Sequence, residues 1–167
     1  MRWTAALALL AALLWPAAAH AWTPHVARAQ KWAQARQGSV TFAVRTEDRL
    51  WGRGVDVQVP SASVFKAMLL VTYLRQSGVR HRAYALRLLR TIVPSQRWGM
   101  AQVAPAGWTL YFKGGWGSGR GLVDHQVALL RRGRERVSVA ILTTVSGTHR
   151  EGKATLRGVA QRLLRGL

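Results

Sequence analysis

Ser63-Val64-Phe65-Lys66 and, further along the chain, Tyr111-Phe112-Lys113-Gly114-Gly115-Trp116 are the stretches whose reading decides the fold. A serine and a lysine three apart on a helix share one face, so the lysine amine can reach the serine hydroxyl. A serine beside a base is the minimal equipment for acyl transfer. Ser63 is expected in the first turn of its helix, where free backbone N–H groups and the helix dipole favour a developing anion. Lys66 stands between Phe65 and Ala67 on a largely apolar helix. Burial there would disfavour the charged amine and lower its pKa toward base strength. Lys113 is expected at a strand end, followed by glycines that permit close backbone approach to a ligand.

Working outward, Val26, Ala29, Trp32 and Ala33 have helical spacing within His25 to Gln37, and Gly38 closes that segment. Ser39 to Arg45 and Leu50 to Val57 are rich in β-formers around Glu47-Asp48, a hairpin pattern. Pro60-Ser61 breaks it, with Ser61 as N-cap of a helix over Ala62 to Arg75 whose apolar stripe is Phe65, Met68, Leu69, Thr72 and Tyr73. Arg82 to Val93 reads as a second basic amphipathic helix, with Leu86, Leu89 and Val93 on one side, stopped by Pro94. Gly107 to Lys113, Leu122 to Arg131 and Arg136 to Thr144 read as strands, with a glycine-rich turn from Gly114 to Gly121, and Thr148 to Leu167 as a closing helix. Runs of strands without strict β-α alternation predict an α/β (α+β) fold. Its expected form is a five-stranded antiparallel sheet, with the N- and C-terminal helices on one face and the Ser63 helix on the other.

Residues 1–21 read as a secretory signal peptide. Arg2 supplies a positive start, Ala5 to Trp15 is an apolar run too short to span a bilayer, and Ala19-His20-Ala21 is a small-x-small cleavage pattern. Residues 22–167 then form a single exported domain, with secreted, periplasmic or wall-associated localisation. There is no cysteine, so such a domain folds on its core without disulfides. The histidines show no ligand spacing, and neither metal nor cofactor is expected. The charge of +19 favours anionic partners such as wall polymers or membrane surfaces. Nucleic acid is disfavoured by the leader, and stacking platforms need aromatics interleaved with cations, a pattern only Arg97-Trp98 offers. Asp124-His125 invites a triad with Ser63, but neighbours on a strand point to opposite faces. Ser118 and Ser146 sit by glycines and read as turn formers.

The order and setting of Ser63-x-x-Lys66 and Lys113-Gly114-Gly115 resemble the penicillin-recognising serine hydrolases, class A β-lactamases and penicillin-binding proteins. The resemblance implies Ser63 as nucleophile, Lys66 as base and Lys113 as attractor of a substrate carboxylate. It also implies an oxyanion site from the N–H groups of Ser63 and Trp116. The implied substrate is a β-lactam or a peptidoglycan-like peptide, and the implied state a monomer. Gly114 departs from the hydroxyl residue usual there. The chain contains no asparagine, and no Asp or Glu lies between Asp56 and Asp124. The family's Ser-Asp-Asn loop and Glu-containing Ω-loop are therefore absent in their usual form. Residues 78 to 102 are too short for its all-helical subdomain, and Pro94-Ser95-Gln96-Arg97-Trp98-Gly99 resembles the lead into the Lys-Gly wall of some exported actinobacterial-type serine hydrolases. The expectation is a reduced β-lactamase-like protein with a shortened helical insert. Without the glutamate that activates water, its acyl-enzyme should persist. The alternative is a non-catalytic cationic wall- or membrane-binding protein on the same scaffold.

Overall fold

The computed structural model describes residues 22–76, 81–119 and 121–167; the leader reading and the start of the shortened insert lie outside the described residues. Helix α1 (Val26–Gln34) precedes a hairpin of β1 (Ser39–Arg45) and β2 (Leu50–Arg53). Helices α2 (Phe65–Gln76) and α3 (Arg82–Arg90) follow. Three strands, β3 (Thr109–Gly117), β4 (Val123–Arg132) and β5 (Glu135–Thr144), lead to α4 (His149–Leu163). The strands form one sheet in the order β2-β1-β5-β4-β3, every pair antiparallel, as expected.

Alternation along the strands sorts side chains onto two faces. Phe42 pairs with Ile141, Val44 with Val139 and Leu130 with Val137, all buried on one side. There they meet Leu156, Val159, Ala160 and Leu163 of α4 and Ala29 and Ala33 of α1. Each large side chain removed from water contributes about 1.5–3 kcal/mol, so this layer dominates stability. The two helices approach closely at Gly158: a Cβ there would lie 2.2 Å from the Trp32 indole nitrogen. A capping box starts α4, with Thr148 accepting from the Glu151 amide and the Glu151 carboxylate accepting from the Thr148 amide.

The opposite face carries Tyr111, Lys113, Val127 and Leu129, and α2 and α3 lie over it. Here the expected stripe is corrected. Ala67 and Leu70 are half-buried on α2, whereas Phe65, Met68, Leu69, Thr72 and Tyr73 are exposed, Met68 and Thr72 lining with Ala67 and Leu70 a cleft that α2 and α3 form over the sheet. Spacing locates an apolar stripe but does not name its partner. In α3, Ala85 is buried and Leu86 and Leu89 half-buried, but Val93 is exposed beyond the helix end. The glycine-rich turn is also corrected: β3 continues to Gly117, pairing Gly114 with Gln126, Gly115 with His125 and Trp116 with Asp124. Lys113 therefore sits mid-strand.

Candidate active site

The chain enters the site through Pro60 and Ser61 and turns sharply. Ala62 adopts φ 45°, a left-handed conformation that costs a non-glycine residue about 1–3 kcal/mol and persists only where surroundings impose it. Ala62–Val64 form a 3-10 turn that runs directly into α2. Ser63 is thus one turn ahead of the α-helix proper, and the Ser61 hydroxyl makes no capping bond to it.

Three contacts impose the turn. Val64 is buried. Gly115 of β3 lies directly beneath: a Cβ there would be 2.8 Å from the backbone nitrogens of both Ser63 and Val64. His125, fully buried one strand further in, reaches across to Pro60. Its Nδ1 accepts the Thr143 amide at 3.2 Å, which leaves Nε2 to donate to the Pro60 carbonyl at 2.7 Å.

Lys66 leaves α2 on an exposed side, contrary to the burial expected of it. Ala67 and Leu70 are half-buried, and Lys66 is rotated away from them. The buried amine is instead that of Lys113, half-buried on the same side of β3 as Gly115. Burial, and then the charge of Lys66, lowers the Lys113 pKa below the ordinary lysine value. Lys113 Nζ donates to the Gly114 carbonyl and lies 5.9 Å from the Trp116 ring centroid. Gly115 thus meets the Ser63 turn, and the Lys66 and Lys113 amines are close enough to influence one another. Gly114 and Trp116 do not present side positions to this face. A Cβ on Gly114 would meet the Trp98 ring at 3.3 Å, and Trp116 packs edge-on to Trp98 with centroids 5.9 Å apart. A hydroxyl residue at 114 would press on that indole, a physical reason for glycine there. Trp116 follows Gly115 on β3, a strand at the sheet edge.

Two residues outside the expected set hold this architecture. His125 fixes the loop ahead of Ser63. Gln126, pointing the other way and fully buried, donates to the Trp98 carbonyl and accepts from the Met100 amide, both at 2.8 Å. That pair of bonds positions the segment containing the Trp98-Gly99 motif. The available signal was Asp124-His125-Gln126, three polar residues inside an otherwise apolar strand.

Asp124 confirms the argument against a triad. Its carboxylate lies on the α4 face, fully buried, 3.0 Å from His149 Nδ1, while His125 points toward Pro60. Burial raises the Asp124 pKa, with the His149 hydrogen bond and the charges of His149, Lys153 and His125 opposing the rise. The folded chain thus holds this proton more tightly than the unfolded chain. The stability it contributes is full below the unfolded carboxylate pKa and is lost as pH rises through the raised folded value. Asparagine does not titrate, so D124N should gain on the unsubstituted protein as pH rises above the unfolded carboxylate pKa of about 3.9. Melting temperatures on both sides of that value check this; a pH-independent difference contradicts it.

No protein-family model matches the chain, and no curated protein matches it. Solved structures do. A β-lactamase from Burkholderia vietnamiensis superposes with TM-score 0.68 at 12% identity, covering 88% of this chain and 97% of its own. A β-lactamase from Sphaerobacter thermophilus gives 0.66 at 12%, over 84% and 96%. An ancestral class A β-lactamase gives 0.60 at 14%, over 86% and 100%. At such identities the likeness defines architecture: this chain has a β-lactamase-like α/β fold.

Proposed function

We propose that the protein is an exported serine hydrolase of the β-lactamase and penicillin-binding type, acting as a monomer on a β-lactam or peptidoglycan-like peptide. The observation that carries this reading is the seating of the Ser63 turn on Gly115, with the Lys66 and Lys113 amines close enough to influence one another. Ser63 Oγ attacks the substrate carbonyl and Lys66, one turn on, takes its proton. The backbone N–H groups of Ser63 and Trp116 are assigned the developing oxyanion. Lys113 is assigned the substrate carboxylate. An anion arriving there opposes the two causes that lower its pKa and so favours the charged amine that holds it.

Release of the acyl group is the weak step of the proposed cycle. Asp56 and Asp124 flank the site segments in sequence with no acid between them, and Asp124 is buried on the far face of the sheet. Asp124 is thereby removed as the group that activates water, and without a glutamate in the family's Ω-loop role the acyl-enzyme persists. A fluorescent penicillin tests the reading: the full-length protein should be labelled, S63A should not be, and K66A should label at least about 100-fold more slowly, the range of a lost general base. Labelling of S63A at the unsubstituted rate would contradict the assignment.

A further inference from the structure

Apolar residues of α2 that follow Ser63 are largely exposed. Phe65, Met68 and Leu69 are 40%, 64% and 58% exposed. On α3, Tyr84 and Leu88 are 54% and 50% exposed, while Leu86 and Leu89 line the same cleft over the sheet as Met68 of α2. Contiguous apolar surface of this kind on a soluble chain marks an interaction site.

Charge decides the occupant. Arg75, Arg82, Arg87 and Arg90 are exposed around these apolar residues, and Arg87 lies 5.4 Å from the Tyr84 ring centroid. No acidic residue occurs between Asp56 and Asp124, so nothing on this face neutralises them. Among the described residues, the only arginine or lysine in an ion pair with a carboxylate is Arg132, with Glu135. A second copy docked through the same patch would set these guanidinium groups against each other, since a two-fold interface pairs a surface with itself. A bilayer surface with anionic headgroups satisfies both components. Apolar side chains enter the acyl boundary, and flanking arginines bond headgroup phosphates.

We infer that the α2–α3 face docks the protein onto a membrane surface rich in anionic lipid. The contact lies in the interface plane, as no helix among the described residues is long and apolar enough to cross a bilayer. It is independent of acyl transfer, since neither Ser63 nor the lysine pair takes part in it.

Vesicle flotation tests this with two substituted proteins. The full chain should float with vesicles of equal parts phosphatidylglycerol and phosphatidylcholine and stay behind with pure phosphatidylcholine. M68E/L69E should lower partitioning at least about tenfold. K31Q/R157Q, which lowers the net charge by the same two units at exposed sites on α1 and α4, should stay within about twofold. Hydrogen exchange of the unsubstituted protein should show vesicle-induced protection in α2 and α3 and none in α1. Equal loss in both variants would reduce the effect to net charge and overturn the proposal. So would failure to float, protection elsewhere, or a dimer in solution that M68E/L69E dissociates.

Discussion

Gly115→Ala should abolish acylation while leaving the sheet formed. The added methyl would sit 2.8 Å from two backbone nitrogens and 3.1 Å from Val64 Cγ1, well inside van der Waals contact. Backbone atoms cannot rotate aside, so either β3 or the Ser63 turn must move. Overpacking of this kind costs about 1–3 kcal/mol. The larger effect is positional: a displacement of about 1 Å at a reacting group costs roughly 100-fold in rate. Gly114→Ala is the internal control. Its methyl would meet only indole carbons, of Trp98 at 3.3 and 3.4 Å and of Trp116 at 3.6 Å, on the opposite face. A side chain can yield there, and the labelling rate should fall less than about tenfold. Equal rates for the two variants would show that Gly115 does not seat the nucleophile.

Replacement of His125 by leucine should give the largest loss of stability among the site variants. Leucine fills much of the volume but makes neither bond, leaving the Pro60 carbonyl and the Thr143 amide without the partner each has here. Orphaned buried groups cost about 1–3 kcal/mol each, so the variant should lose roughly 2–5 kcal/mol. For a domain of this size that lowers the melting temperature by roughly 5–15 °C. The imidazole touches no proposed reacting atom, so His125 is a positioning residue. Its signature should be slower labelling at temperatures where the variant is still folded, as the strained Ala62 turn loses one of its three supports. Unaltered labelling by a folded H125L would confine its role to stability.

The sheet was legible because its strands carry alternating β-formers between clear breaks, but the order that sets β1 beside the distant β5 was not. Residue types and their order suggested that Ser63 and Lys113 share a cleft; what the structure shows of it is the Gly115 contact with the Ser63 turn and the influence of Lys66 on Lys113. The orientation of α2 was not. Phe65, Met68 and Leu69 form an apolar stripe in sequence, and an apolar stripe is ordinarily read as core. Here the half-buried positions are Ala67 and Leu70, smaller and less periodic, and Lys66 follows the helix outward. The error over which lysine is buried is a consequence of that rotation. Gly114 and Gly115 were read as a turn because glycine weakens a strand. In the structure one admits Trp98 and the other the Ser63 backbone, on opposite faces of a continuous strand. The roles of His125 and Gln126 depend on pairing register, which fixes what each polar side chain faces.

The measurement that bears most directly on the account is intact mass of the full chain during exposure to benzylpenicillin and after its removal. The account predicts the added mass of one opened penicillin, located on Ser63 by peptide mapping, absent from S63A, and retained long after free drug is gone. An unchanged mass, an adduct on another residue, or rapid repeated hydrolysis with no accumulating adduct would contradict it.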